Sequence, residues 1–210
     1  MSHIQPKGSL FIVSAPSGAG KSTLLDRLRK EDPRLVYSIS HTTRAPRGKE
    51  QDGEAYYFVD RPSFQKLIEQ DAFLEYALVH DHYYGTSREP VVRHLKANLD
   101  VVVDIDVAGA AQIRERMPEA VSIFILPPDL ATLRQRLQGR GEDKPETIAK
   151  RLDNAAGEMA RVDEYDYVVV NDDLDQCLTQ MRAIIHASRC RYTANQELTG
   201  TILAGFVDNQ

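Results

Sequence analysis

Ten consecutive residues near the amino terminus, Ser14 to Thr23, have the composition of a phosphate-binding loop. An apolar run precedes them and leucines at helical spacing follow them, so the order is strand, glycine-rich turn and helix. Gly18 and Gly20 lack a Cβ, which lets backbone amides surround an anion at the helix amino terminus. The spacing predicts that Lys21 contacts the terminal phosphates of a nucleoside triphosphate and that the Ser22 hydroxyl is a ligand of Mg²⁺.

One position departs from the usual G-x-x-x-x-G-K-[S/T] pattern, because its first glycine is Ala15 here. The other positions fit. The alternative interpretation is an ordinary strand-to-helix turn in which Lys21 is only solvated. The flanking strand and helix favour phosphate binding.

Two arginines, Arg44 and Arg47, lie three residues apart in a polar segment that contains proline. Guanidinium groups bind phosphate oxygens bidentately, so this loop could hold the phosphate of an acceptor. Two arginines in a loop are more often simply solvated. The spacing alone leaves both interpretations open.

Two carboxylates, Asp104 and Asp106, follow an apolar run that starts at Val101. Residues two apart on a strand leave the same face, and the carboxyl ends of parallel strands are where open α/β sheets bind ligands. The pattern predicts a position near Mg²⁺ or its waters for Asp104. The alternative is that the pair caps the helix expected from Val107.

Arginines also occur around a pair of glycines later in the chain, at Arg136, Arg140 and Arg151, with Gly139 and Gly141 on either side of Arg140. We interpret this segment as a lid. Phosphoryl transfer spreads negative charge over the equatorial oxygens, and cations that arrive with lid closure stabilise that charge. Exposed helix arginines are the alternative.

The order of predicted elements indicates a three-layer α/β fold with a mostly parallel sheet. Apolar strands beginning near residues 10, 35, 101, 121 and 165 alternate with helices, whereas residues 40–98 break the alternation and predict an inserted mixed-sheet subdomain. Locally we expect strands at 35–40, 53–59 and 101–106, a polar turn at 41–48 and a helix at 145–162. Residues 193–210 are expected to form a short helix or to fray.

Composition restricts the class of partner. The net charge of −5 over 210 residues argues against a general binder of nucleic acid or anionic membranes. No apolar run resembles a signal peptide core or a membrane span, which predicts a cytoplasmic protein. Cys177 and Cys190 have no metal-ligand spacing, and we expect reduced, structural thiols.

Taken together, six stretches resemble those of guanylate kinases, P-loop nucleoside monophosphate kinases. They are Ser14–Thr23, Ser38–Arg47, Tyr83–Ser87, Asp104–Asp106, Gly139–Gly141 and Val170–Asp173, and the likeness covers nearly the whole chain. The resemblance implies transfer of the γ-phosphoryl group of ATP to GMP or dGMP, with Mg²⁺. It also implies a P-loop kinase core of residues 1–39, 99–130 and 164–210, a GMP-binding subdomain of residues 40–98 and a helical lid of residues 131–163.

The resemblance assigns residues to each substrate. Those expected to bind ATP are Ala15, Pro16, Ser17, Gly18, Ala19, Gly20, Lys21, Ser22, Thr23, Arg136 and Asn171, the last beside the adenine. Those expected to bind GMP are Ser40, Arg44, Arg47, Tyr56, Glu75, Tyr84, Thr86, Asp104 and Asp106. Those expected to stabilise the transferring group are Lys21, Arg44, Arg140 and Arg151. Carboxylates at Glu75 and Asp106 suit guanine, because N1–H and the 2-amino group are both donors.

Two other functions remain possible from the sequence. Guanylate-kinase-like modules of scaffolding proteins bind phosphorylated peptides, but they typically lose the lysine and glycines that are intact here at Gly18, Gly20 and Lys21. A P-loop kinase with a different phosphorylated acceptor is the third hypothesis. The sequence leaves monomer and homo-oligomer open.

Overall fold

The computed structural model describes residues 6–139 and 145–207. Its strands are β1 (Leu10–Ser14), β2 (Leu35–Tyr37), β3 (His41–Thr42), β4 (Tyr57–Phe58), β5 (Phe73–Val79), β6 (His82–Ser87), β7 (Asp100–Asp104), β8 (Val121–Leu126) and β9 (Tyr167–Val170). Its α-helices are α1 (Lys21–Glu31), α2 (Arg61–Glu69), α3 (Arg88–Lys96), α4 (Val107–Arg116), α5 (Leu130–Gln138), α6 (Pro145–Met159), α7 (Leu174–Arg189) and α8 (Gln196–Val207).

Five strands form a parallel sheet in the order β2-β7-β1-β8-β9. β1 is the central strand, pairs with β7 on one side and β8 on the other, and is buried along its whole length. Burial on both faces explains why its sequence is a continuous apolar run rather than an alternating one. Because the strands are parallel, their carboxyl ends meet at one edge, where the loop after β1 begins.

Helices cover both faces of this sheet. On one face α1 and α7 pack against apolar side chains that include Phe11, Val13 and Ile123. On the other face α3 and α4 pack against a second set that includes Ile12 and Phe124. The predicted three-layer α/β fold is therefore confirmed.

A second, four-stranded sheet has the order β4-β3-β6-β5 and contains both parallel and antiparallel pairs. β5 and β6 form a hairpin whose turn residues, His80 and Asp81, have φ values of 47° and 66°. Such a turn matches the twist of the two strands. The Phe64 side chain of α2 stacks on Phe73 of this sheet at a centroid distance of 4.5 Å. The mixed sheet predicted for residues 40–98 is present.

Several local predictions for this region are wrong. His41 and Thr42, expected in a polar turn, form β3, and the strand expected at residues 35–40 ends at Tyr37. The strand expected at residues 53–59 is reduced to the two residues of β4. Gly53 has a φ of 77° and its N–H donates to the Tyr56 carbonyl, so the chain turns there instead of extending.

The carboxyl-terminal part is more regular than expected. α8 contains twelve residues, where a short or frayed helix was predicted. α6 ends at Met159 and is followed by a 3₁₀ turn, Val162–Glu164, which shortens the predicted helix by three residues. Both cysteines are free, but Cys177 is buried in the core and Cys190 is exposed at the end of α7.

Candidate active site between the two sheets

The loop after β1 curls in the way that its glycines permit. Gly18 and Gly20 both have a φ of +91°, a conformation that side chains with a Cβ rarely adopt. The Ala19 N–H donates to the Pro16 carbonyl at 3.0 Å and closes the turn between them. Ala15, the departure from the usual pattern, lies outside the left-handed region and packs against the core. Alanine therefore causes no backbone strain at that position.

Asn171, just after β9, is hydrogen-bonded to this loop and holds it in place. Its side-chain Nδ2 donates to the Ala19 carbonyl at 2.7 Å, and its backbone N–H donates to the Leu126 carbonyl at 2.8 Å. Arg136 of α5 donates to the Asn171 carbonyl at 3.0 Å. Asn171 is only 4% exposed, so the bond to the loop is shielded from water. The family resemblance implied a position beside the adenine for Asn171; its contact with the loop was not predicted.

The Asn171 contact leads to a prediction for Gly20. A Cβ at Gly20 lies 2.3 Å from Asn171 Nδ2, and the residue has the left-handed φ given above. We expect Gly20→Ala to lower the free energy of unfolding by about 2 kcal/mol through backbone strain and loss of this contact. The melting temperature then falls by roughly 4–8 °C for a chain of this size.

Gly157→Ala is the matched control, because Gly157 lies within α6 and a Cβ there contacts nothing within 4 Å. Alanine in an open helical position is expected to leave stability unchanged or to raise it by up to about 1 kcal/mol. Differential scanning calorimetry of both variants measures the difference. Equal melting temperatures for the two variants contradict the proposed tight fit at Gly20.

α1 begins without a capping side chain, in contrast to four other helices of the described structure. In those helices the first turn donates to an aspartate at the amino terminus, namely Asp60, Asp106, Asp129 or Asp173. Gly20 precedes α1, and the first turn contains no acidic residue. Its amides are left for an anion, which the helix dipole also favours. Ser22 and Thr23 are exposed on the same turn.

Lys21 links the loop to the end of β7. Its Nζ lies 2.5 Å from Asp104 Oδ1 and donates to the Ile105 carbonyl at 3.4 Å. Both side chains remain partly exposed, so the ammonium group is accessible to a ligand on the loop. Asp104, for which the sequence predicted a position near Mg²⁺ or its waters, is thus paired with Lys21 in the structure.

A cavity of about 140 Å³ lies between the ends of the two sheets. Six residues predicted to bind the acceptor line it: Ser40, Tyr56, Glu75, Tyr84, Asp104 and Asp106. Two of them lie on β5 and β6, and two directly precede β3 and β4. Asp104 ends β7 of the central sheet and Asp106 follows it. Asp104 also contacts Lys21, so this cavity adjoins the loop after β1.

Arg44 is held beside the cavity with its guanidinium group already oriented. Its two terminal nitrogens each donate to one oxygen of Glu50 at 2.9 Å, and the side chain is 7% exposed. The guanidinium carbon lies 5.3 Å from the centre of the Tyr56 ring, a cation–π distance. Hydrogen bonds from Arg44, and then from the Arg47 backbone, lower the pKa of Glu50. Arg47 itself is exposed, with no cavity contact.

Glu50 is a residue that the sequence did not point to. It follows Arg44 by six residues in a segment without helix or strand periodicity, so no regular spacing indicates the pair. Its bidentate geometry fixes the arginine in one orientation, which reduces the entropy lost when a further anion binds.

Glu75 is 6% exposed on β5 and accepts a hydrogen bond from the Thr86 hydroxyl at 2.6 Å. Burial raises the pKa of Glu75, and the nearby charge of Asp106 raises it further. Gly109 makes room for the carboxylate, because a Cβ there would lie 3.1 Å from Glu75 Oε2. Three residues expected to contact guanine are thus brought together.

Asp106 requires a correction. β7 ends at Asp104, and Asp106 is not on the strand but at the amino terminus of α4, where it accepts from the Gly109 N–H at 2.8 Å. The prediction that both aspartates lie on the strand and leave its same face is wrong, because the strand ends two residues before Asp106. Asp106 nevertheless remains exposed and lines the cavity.

The arginines of the predicted lid are only partly described. Arg136 lies on α5 and contacts Asn171, and Arg151 lies on α6. Arg140, with the glycine that follows it, falls outside the described residues. The structure therefore places two of the three predicted lid arginines.

A family model described as guanylate kinase matches residues 7–188. The chain belongs to this family. A guanylate kinase of Escherichia coli is 51% identical over 193 residues, which are 91% of this chain and 93% of the relative. A guanylate kinase of Salmonella typhimurium is 50% identical over 94% of this chain and 97% of the relative.

The fold agrees with a solved guanylate kinase. The crystal structure of the Anaplasma phagocytophilum enzyme matches with a TM-score of 0.73 at 31% identity, over 90% of each chain. As a guanylate kinase, this chain phosphorylates GMP to GDP with ATP as the donor. In the part of the chain that the structure describes, no helix is both long and apolar enough to cross a membrane. The cytoplasmic location stays a prediction.

Proposed function

We propose that the transfer takes place with the triphosphate of ATP on residues 15–23 and with GMP, or dGMP, in the cavity between the sheets. The observation that supports this most directly is the position of Asp104. It lines the cavity and also contacts Lys21 at 2.5 Å, so the two proposed sites share one wall. Two nucleotides bound there meet end to end, which in-line phosphoryl transfer requires.

The phosphate of GMP is assigned to Ser40, Arg44, Tyr56 and Tyr84, with Arg47 reaching from the surface. The assignment of Arg44 is supported by its fixed geometry, because Glu50 and the Tyr56 ring hold the guanidinium group in place before a ligand binds. A preoriented cation stabilises developing charge without the cost of reorganisation. Arg44 therefore serves both binding and transfer.

The guanine base is assigned to Glu75, Thr86 and Asp106. Two carboxylates with one hydroxyl form an acceptor-rich surface that matches N1–H and the 2-amino group. Adenine presents no such pair of donors. A buried carboxylate left without its partner is costly, so the wrong base is rejected strongly.

The donor phosphates are assigned to the loop amides, Lys21 and Thr23, with Asn171 and Arg136 toward the adenine. Lys21 exchanges Asp104 for phosphate oxygens when ATP binds. Arg140 and Arg151 add positive charge from the lid. Catalysis needs no general base, since a phosphate monoester has its second pKa at about 6 and is already an anionic nucleophile near pH 7.

The residues present also fit Mg²⁺. This ion keeps several waters and takes few protein oxygens besides substrate phosphates. Among the described residues no group of three or more His, Cys, Asp or Glu side chains could hold a metal alone, so substrate phosphates would complete the coordination. Ser22 would hold Mg²⁺ through its exposed hydroxyl, and Asp104 through a water. The bound ion neutralises charge on the donor phosphates.

A coupled assay of ADP release tests the proposal. GMP, dGMP, AMP, UMP and CMP are offered in turn with ATP and Mg²⁺. We expect turnover with GMP and dGMP, and kcat/KM values at least about 10³-fold lower for the other three, because the site is built on hydrogen bonds to the base. Comparable use of AMP or a pyrimidine nucleotide contradicts the assignment of the cavity to guanine.

A further inference from the structure

One face of α4 contacts β5 beside Glu75. Gly109, Gln112 and Arg116 are spaced by three and four residues, so they share that face. Gly109 makes room for the Glu75 carboxylate, as described above. Gln112 and Arg116 contact the strand on either side of Glu75, and no role for them followed from the sequence.

Gln112 binds the backbone of Tyr76, the residue after Glu75. The Tyr76 N–H donates to Gln112 Oε1 at 3.2 Å, and Gln112 Nε2 donates to the Tyr76 carbonyl at 3.2 Å. β5 is at the edge of its sheet, so these backbone groups have no strand partner in the sheet order. The amide of Gln112 takes the place of that partner, which also protects the edge.

Arg116 binds the chain before Glu75. Its Nη1 donates to the Phe73 carbonyl at 3.0 Å and lies 2.5 Å from Asp71 Oδ1. Between these two anchors β5 is irregular: Phe73 is opposite Ser87, yet Glu75 is already opposite Thr86. One extra residue, Leu74, is therefore accommodated in β5. An irregularity of this kind redirects the side chains next to it.

We infer that Gln112 and Arg116 are positioning residues that hold this irregular part of β5 and so direct Glu75 into the cavity. The inference rests on the proposed function of Glu75 as a guanine contact. Its physical basis is that the two base-reading carboxylates are both tied to α4. Asp106 caps the amino terminus of α4, and Glu75 on β5 is fixed to the same helix by the two anchors, so α4 sets the distance between them.

Loss of either anchor is expected to weaken the use of GMP and to leave the use of ATP unchanged. Gln112→Met keeps the length of the side chain and removes both hydrogen bonds to Tyr76. A displacement of Glu75 by a fraction of an ångström is expected to raise KM for GMP about 10-fold, because productive contacts tolerate little error. KM for ATP and kcat at saturating GMP are expected to stay within about threefold of wild type.

Matched variants separate a positioning effect on Glu75 from a general loss of stability. Gln65→Met makes the same chemical change at an exposed position of α2 and is expected to behave as wild type. Arg116→Met is expected to raise KM for GMP as Gln112→Met does, whereas Arg116→Lys keeps a donor and is expected to restore most of the loss. Each variant is measured for KM of both substrates, kcat and thermal unfolding.

Hydrogen exchange gives a readout that does not depend on catalysis. In the full chain without nucleotide, amide exchange in residues 73–79 is expected to be at least about tenfold faster in Gln112→Met than in wild type or Gln65→Met, because an edge amide loses its acceptor. An unchanged exchange rate overturns the inference, and so does a joint rise of KM for GMP and ATP. An unchanged KM for GMP in Glu75→Gln rejects the proposed role of Glu75 separately.

Discussion

Lys21→Ala is expected to lower kcat for phosphoryl transfer by about 10²- to 10³-fold or more, the range found when one preorganised donor to a developing charge is removed. Lys21 follows the loop directly, at the uncapped start of α1, and its Nζ is within 2.5 Å of Asp104 at the boundary between the two proposed sites. In the proposed arrangement, a cation at this boundary acts on the phosphoryl group in transfer rather than on either nucleotide alone. Steady-state kinetics with ATP and GMP measure the effect.

The fold is expected to tolerate this change. The Lys21–Asp104 pair is partly exposed, and such pairs contribute about 1 kcal/mol or less to stability. Lys30→Ala is the matched control, because Lys30 is exposed at the other end of α1. We expect that control to keep wild-type kcat. Near-normal turnover of Lys21→Ala with both substrates saturating contradicts the assigned role.

The loop could be predicted from the sequence because its information is local. A buried strand, two glycines and a helix follow one another within some twenty residues, and each has a recognisable pattern. The hydrogen bond from Asn171 to this loop could not be predicted in this way. Asn171 and Ala19 are 152 positions apart, and their contact depends on β9 lying beside β8 in the finished sheet.

The missed strand has a similar cause. His41 and Thr42 have no alternating apolar pattern, and β3 exists because β4 and β6 pair with its two sides. Pairing of this kind is a tertiary property. The polar, proline-containing segment that follows was correctly expected to be irregular, but its irregularity concealed the ion pair between Arg44 and Glu50.

The proposed guanine site shows what the family resemblance adds to sequence patterns. A glutamate within a strand is usually an exposed edge residue, and nothing in the sequence around Glu75 indicates that it is buried. The extra residue in β5 changes the register there, and Gly109 of a distant helix leaves space for the carboxylate. Both features arise when the second sheet meets α4, so only the resemblance could name Glu75.

Ionisation of Glu75 is expected to lower the free energy of unfolding as pH rises, whereas ionisation of an ion-paired carboxylate raises it. Burial raises the pKa of Glu75 above its ordinary value of 4.5, so the folded state holds the proton more tightly than the unfolded state. Between those two pKa values the unfolded state loses its proton first, and the free energy of unfolding falls as pH rises. Glu75→Gln removes this penalty. In denaturant unfolding, the free energy of unfolding of Glu75→Gln minus that of wild type is therefore expected to increase as pH rises through this interval.

Glu75→Gln is accordingly expected to impair acceptor use without impairing the fold. The glutamine oxygen can still accept from Thr86, but the new NH₂ group faces the donors of guanine, and an unpaired donor in a buried site is costly. We expect KM for GMP to rise about 10²-fold, while KM for ATP stays within about threefold. Glu54→Gln, at an exposed position of the same region, is the control and is expected to match wild type. An unchanged KM for GMP in Glu75→Gln would remove Glu75 from the base-reading site.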